Sequence, residues 1–254
     1  MTSSDWQLRK PVSAIIFDCD GTLTTIEGID YLAENNGVGD EVKQLTANAM
    51  GKTGLNIELY KQRLDWVKPT QEQVNALGQA YFDHRVPDIE AVIKLLQRQH
   101  KTIYLVSAGL YPAVSLFGKL LHVAQNNIFA VNISFNDQGH YFNFDTLSPL
   151  VTNDGKRKIV TELLKQHENI AYVGDGLNDL AVKDLVTRFI GYGGIFFREN
   201  IAEQCQFYIN TSSLSSLLPL VLTQQEYESS IAEEKHLLQK GWQAIQSGSV
   251  KGVS

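Results

Sequence analysis

Val12-Ser13-Ala14-Ile15-Ile16-Phe17-Asp18-Cys19-Asp20-Gly21-Thr22 is the stretch on which the fold turns. Residues 12–17 form a short run of branched apolar side chains, read as a buried strand that ends in the polar turn 18–22. Two later runs end in the same way, in polar residues with glycine: IYLVSAG at 103–109 and AYVGDGLND at 171–179. In open parallel sheets the ligand site lies beyond the carboxyl ends of the strands. Asp18, Asp20, Ser107, Asp175 and Asp179 are therefore expected to converge although they are far apart in sequence.

Around these runs the chain divides by pattern. From Gly28 to about His84, IDYLAENNG, DEVKQLTANAM, IELYKQRLDWV and TQEQVNALGQAYFDH are helix-like, separated by Gly, Pro and Thr, with no strand-like run between them. After Pro87 helices and strands alternate. Ile89, Val92, Ile93 and Leu96 form a helical stripe, followed by a strand at 102–106 and a helix at about 112–123. Strand-like segments at 128–135 and 141–144 come next, then a helix from Lys156, a strand at 170–173, a short helix after Asn178, and strands at 189–190 and 207–209. The rhythm predicts an α/β fold, a parallel sheet with helices on both faces. The expected division is a discontinuous core at 11–25 and 86–222, an inserted α-helical cap at 26–85, and a C-terminal helical extension at 223–254. In that extension Tyr227, Ile231, Leu238, Trp242 and Ile245 share one helical stripe, expected to pack on the core.

The 254 residues, 43% hydrophobic and 20% charged, can bury a real core. A net charge of −6 argues against a non-specific nucleic-acid binder, which normally shows a basic face. Cys19 and Cys205 do not make a metal-type spacing, and the first lies inside the best motif, so a reduced, cytoplasmic setting is expected. The apolar run at 12–17 is too short for a signal-peptide core or a membrane span.

Asp18 and Asp20, two apart at a strand end, point to roughly the same side. Two carboxylates there repel unless a cation sits between them, and Asp175 completes an oxygen-rich set suited to Mg²⁺. An Asp-x-Asp-Gly on its own is more often a surface turn; the preceding buried strand and the second acidic ending argue otherwise. Ser107 and Gly109 can offer a hydroxyl and backbone N–H groups to a phosphate, although a lone Ser after a strand is more often a turn residue. Among Lys156, Arg157 and Lys158, helical phase puts Lys156 on the face that carries Ile159, Val160, Leu163 and Leu164, at a helix N-terminus that favours anions. Asn178 and Asp179 can touch the phosphate or orient Lys156, and Asn178 can equally cap the next helix. Leu105 excludes the serine-hydrolase elbow, and there is neither a GxxxxGK[ST] loop nor a full dinucleotide fingerprint.

With FDCDGT, VSAG, a helix-opening lysine and GDGLND in this order, the chain resembles the haloacid dehalogenase-like phosphatases. The resemblance implies a Rossmann-like core, Asp18 as nucleophile and metal ligand, and Asp20 as general acid/base and ligand through its main-chain carbonyl. Asp175 would complete the Mg²⁺ site, and Ser107, Ala108, Gly109, Lys156 and Asn178 would hold the phosphoryl group, supported by Asp179. Over residues 13–212 the phrases EGIDYLAENNGV, NAMGKTG, RLDWVKPTQEQV and FIGYGGIFFRENIAEQCQFYI resemble the phosphoserine phosphatase branch. That implies a small phosphorylated metabolite as substrate, a place in serine biosynthesis, and a monomer or homodimer without nucleic-acid or membrane partners. By matching position Glu27 would take the substrate ammonium and Arg63 its carboxylate, a pairing that suits a zwitterion. The chain departs from the branch at Asn56, where an apolar or aromatic cap residue is usual, and at Ala108, within a glycine-rich turn. Another small phosphate ester is the alternative substrate; a silent scaffold would lack a catalytic carboxylate or the lysine, and none is missing.

Overall fold

Strand Ala14–Phe17 (β1) is hydrogen-bonded on both sides by parallel neighbours, Thr102–Leu110 (β2) and Ile170–Gly174 (β6), and all four of its side chains are buried. A computed structural model describes residues 6–52 and 54–252 of the chain; Thr53, within the NAMGKTG stretch, lies outside the described residues. Among the described residues, seven strands form one sheet in the order β3-β2-β1-β6-β7-β8-β9. The remaining members are Ile128–Val131 (β3), Arg188–Tyr192 (β7), Phe207–Ile209 (β8) and Val250–Gly252 (β9). All pair in parallel except β9, which runs antiparallel to β8. Strand order reverses at β1: the chain first builds outward through β2 and β3, then returns to the other side of β1 with β6. The carboxyl ends of β1, β2 and β6 thus flank a topological switch point, where such sheets bind ligands.

Between β1 and the next core helix, four helices are inserted: Gly28–Asn35 (α1), Gly39–Lys52 (α2), Ile57–Val67 (α3) and Gln71–Asp83 (α4). Their starts are chemically marked. Asn56 accepts a hydrogen bond from the Leu59 N–H at the head of α3, and Thr70 with Gln73 forms a capping box on α4. Helix Ile89–Arg98 (α5), with Ile89, Val92, Ile93 and Leu96 buried, returns the chain to the sheet. Helix Tyr111–Leu120 (α6) follows β2 directly, and Gly155–Leu163 (α7) and the short Leu177–Leu180 (α8) flank β6.

Two expectations need correction. The strand expected over 128–135 is two strands: Val131 is the last residue paired to β2, whereas Ile133–Phe135 (β4) turns away to form a separate antiparallel hairpin with Tyr141–Phe144 (β5). The side chain of Asn136 accepts from the Gln138 and His140 N–H groups and fixes that hairpin's turn. The C-terminal segment is not one helix. A capping box between Thr223 and Glu226 opens a short helix, Gln224–Glu228, which then stops because the hydroxyls of Ser229 and Ser230 bond back to the Glu226 carbonyl. The chain resumes as helix Lys235–Gln246 and ends as β9 on the sheet edge. Tyr227 and Trp242 still meet edge-on at 6.4 Å, but Ile231, placed on the expected stripe, is exposed.

Candidate active site

Register brings the three strand ends together. Phe17 is level with Leu105 and Val173, so Asp18 follows one residue later, while Ser107 and Asp175 lie two residues past their paired positions. Asp18, Asp20, Ser107, Ala108, Gly109, Lys156, Asp175 and Asn178 line one pocket together with Glu27 and Arg63. Asp179 sits beneath it, fully buried.

Lys156 is the hub. It is buried on the inward face of α7, and its Nζ lies 2.8 Å from Asp18 Oδ1 and 2.6 Å from Asp179 Oδ1. Burial alone would lower its basicity, yet the carboxylates of Asp179 and Asp18 hold it above the ordinary lysine value. Arg157 instead pairs with Asp184 at the surface, and Lys158 is exposed. Asp179 also accepts from the Tyr172 hydroxyl at 2.6 Å, and its second oxygen accepts from the Gly176 N–H at 2.9 Å. Both its oxygens are therefore committed, and the residue orients Lys156. Gly176 occupies the N-cap of α8, so Asn178 is not the cap; it lies within that helix on the pocket wall.

Asp20 is held from two sides on one oxygen. Its Oδ1 accepts the Gly28 N–H at 2.6 Å and the Tyr81 hydroxyl at 2.8 Å. Ser107 Oγ stands 3.4 Å from Oδ2 and accepts from the Gly109 N–H at 2.9 Å. That Gly109 N–H, expected to face a phosphate, thus serves the serine. Asp175 accepts from Thr22 Oγ1 at 3.4 Å and from Arg198 Nη2 at 3.0 Å. Gly21, with φ +68°, passes so close that a Cβ there would meet Asp175 Oδ2 at 2.8 Å.

The carboxylates repel one another. Burial, followed by the charges of Asp179 and Asp175, raises Asp18 well above the usual carboxylate range despite Lys156. Burial and Asp179 push Asp175 up to about 6, against the opposing pull of Arg198. Such a set favours a cation. One oxygen each of Asp18, Asp175 and Asp179 lies within 4.8 Å of the others; Asp179 carries short bonds from Lys156, Tyr172 and Gly176, whereas Asp18 is met by Lys156 and Asp175 by Arg198 and, at 3.4 Å, by Thr22. An all-oxygen donor set of this kind fits a hard divalent ion.

On the cap side, Arg63 is buried in α3 beside the Tyr60 ring, and among the described residues its Nε has no hydrogen-bond partner. Glu27 stands at the N-cap of α1, its carboxyl raised by burial and by Asp20, Asp175 and Asp18. Asn56 does not line the pocket; its amide caps α3, and Leu55 supplies the apolar wall there. Ala108 joins cap to core through its carbonyl, which accepts the Tyr60 hydroxyl at 2.9 Å. Sequence reading missed Tyr60, Tyr81 and Arg198. Only FFREN, within a stretch already noted, carried a signal for any of them.

A family model described as haloacid dehalogenase-like hydrolase matches residues 12–182, and the chain belongs to that family. It is 33% identical over 199 residues to phosphoserine phosphatase of Bos taurus, covering 77% of this chain and 88% of that protein. It is 34% identical to the chloroplastic phosphoserine phosphatase of Arabidopsis thaliana, covering 80% and 70% respectively. A solved structure described as a phospho-aspartyl intermediate analogue of phosphoserine phosphatase shares the fold, with a TM-score of 0.70, 23% identity, and coverage of 82% of this chain and 98% of that one. Family and relatives together define the chain as a phosphatase enzyme. Among the described residues, no helix is long and apolar enough to cross a membrane.

Proposed function

We propose that the protein hydrolyses O-phosphoserine to serine and phosphate through an aspartyl-phosphate on Asp18, with Mg²⁺ as its cofactor. The observation that carries the substrate reading is that Glu27 and Arg63, whose Nε has no hydrogen-bond partner among the described residues, line the same pocket as Asp18 and Asp20. A carboxylate for the ammonium and a fork of N–H donors for the carboxylate match the two charged ends of a phosphorylated amino acid. Phosphoserine phosphatase relatives at 33% and 34% identity support the same substrate.

In this reading an oxygen of Asp18 attacks phosphorus, and Asp20 donates its proton to the departing serine oxygen. Asp20 then takes a proton from the water that cleaves the acyl phosphate, which restores the free carboxylate of Asp18. Asp18 and Asp175, with the main-chain carbonyl of Asp20, would hold Mg²⁺, which supplies positive charge against the phosphate. Lys156, fixed by Asp179, faces the phosphoryl oxygens with Ser107, the Ala108 backbone and Asn178, while the Gly109 N–H orients the serine hydroxyl. The cap helices exclude bulk water while the ester bond breaks. The same reading makes the protein a cytoplasmic monomer or homodimer acting in serine biosynthesis.

Phosphate release from phosphoserine, phosphothreonine, sugar phosphates and p-nitrophenyl phosphate, with and without Mg²⁺, tests the proposal. Phosphoserine should lead the panel, and release should stop in EDTA. Arg63→Ala should reduce kcat/KM for phosphoserine by roughly 10²-fold, about 2–3 kcal/mol for one desolvated charge pair, and spare p-nitrophenyl phosphate, which has no carboxylate. Equal losses on both esters would remove the amino acid from the reading.

A further inference from the structure

Two short hydrogen bonds grip Asp20 on one oxygen, and both groups that make them belong to the inserted helices. Tyr81, near the end of α4, is fully buried, and its ring packs 5.7 Å from Phe117 on core helix α6. Its hydroxyl donates to Asp20 Oδ1 beside the Gly28 N–H. Gly28 has to lack a side chain for both donors to meet there, because a Cβ at that position would fall 2.0 Å from the Tyr81 oxygen. Among the described residues Oδ2 receives one longer bond, from the Ser107 hydroxyl at 3.4 Å, and it borders the β2 residues 107–109 that line the pocket.

From this asymmetry we infer that Tyr81 is a positioning residue for proton transfer: with Gly28 it commits Oδ1 of Asp20 and leaves Oδ2 as the oxygen that carries the proton to the leaving group. Two short donors on Oδ1 disfavour a proton there, since a protonated oxygen would face N–H and O–H groups it cannot accept from as well. The same bonds lock the carboxyl's orientation, so Oδ2 remains aimed into the pocket. The bond to phosphorus from the ester oxygen breaks as Asp18 forms its own, and the proton on Oδ2 passes to the leaving oxygen, leaving Asp20 as the carboxylate. Because Tyr81 comes from the inserted helices, the grip on Asp20 also ties the acid to the seated position of α4.

This inference rests on the phosphatase reading above, and the test separates the two. An alkyl phosphate such as phosphoserine has a poor leaving group that needs the proton; p-nitrophenyl phosphate needs it far less. Tyr81→Phe keeps the ring against Phe117 and removes only the hydroxyl. It should lower kcat/KM on phosphoserine about tenfold, part of the roughly 10²–10⁴-fold that general acid catalysis contributes, with a distinctly smaller loss on p-nitrophenyl phosphate. Tyr81→Leu, as a second variant, should show the same leaving-group bias. In an Asp20→Asn background Tyr81→Phe should add less than about twofold, because its effect runs through a group already disabled. Equal losses on the two esters, a full additive loss in the Asp20→Asn background, or no loss at all would overturn the role of Tyr81. A wild-type enzyme that leaves phosphoserine intact, or an Asp20→Asn variant without leaving-group bias, would instead overturn the phosphatase reading and this inference with it.

Discussion

Replacing Asp179 by Asn separates two roles that geometry alone leaves together. Asp179 lies close enough to Asp18 and Asp175 to share a metal, but its oxygens are already taken by Lys156, Tyr172 and Gly176. If it acts only by orienting Lys156, Asp179→Asn removes one of the two buried partners of that ammonium and leaves Asp18. Breaking a buried pair costs about 3–5 kcal/mol. Part of this is offset, because Asp179 is the largest charge raising Asp18 and Asp175, and its removal eases that repulsion. A net loss of about 2–4 kcal/mol should lower the Tm of the metal-free protein by about 5–15 °C for a chain of this size. Turnover should fall as well, since Lys156 is no longer held toward the phosphate. Mg²⁺ affinity, read by calorimetric titration or by the rise in Tm with added Mg²⁺, should change less than about threefold. A drop in Mg²⁺ affinity of tenfold or more with an unchanged metal-free Tm would refute the reasoning and make Asp179 a ligand.

Asp18→Asn should abolish turnover while substrate binding, followed by calorimetry, is kept or improved, because the nucleophile and one repelling charge go together; near-normal steady-state rates would end the covalent mechanism. The raised value of Asp175, about 6, means the metal-free fold binds that proton more tightly than the unfolded chain does, so its stability falls as pH rises from about 4 to 6. Mg²⁺ must displace the same proton, so the Mg²⁺-induced rise in Tm should be small at pH 5 and full at pH 7.5; equal shifts at both would contradict the assignment. Truncation after Thr223 removes β9 and the ion pairs Lys101–Glu226, Arg98–Glu234 and Lys240–Asp88, and it leaves β8 as an open edge. Thermal melting should fall by about 5 °C or more, with phosphatase activity retained in whatever remains folded; a well-folded truncation that binds Mg²⁺ but hydrolyses no ester would make the segment part of the site.

The core of the site was legible because each of its residues directly follows a buried apolar run or opens a helix. Asp18 and Asp175 directly follow their strands and Ser107 lies in the irregular last part of β2, and a parallel sheet leaves them nowhere to go but one edge. Lys156 could be chosen over its two neighbours by helical phase alone, and it is the one buried. What stayed hidden depends on side chains reaching across the fold. Tyr81 sits on a helix face that reads as ordinary core, and only the approach of α4 to Gly28 turns its hydroxyl toward Asp20. The role of Asn56 was masked in the opposite way: a position that looked like a change in the pocket is a helix cap. The broken C-terminal segment escaped notice because apolar periodicity is blind to serine hydroxyls that compete for a helix carbonyl.

The central strand has a consequence for how the chain reaches this structure. Ala14 pairs with Thr102 and Ile170, so β1 has no partner nearer than about 90 residues along the chain. High contact order of this kind slows folding, because long loops must close before the strand gains any ladder bond. Until then Ala14–Phe17 is an unpaired apolar segment beside the future nucleophile, open to association with its own copies.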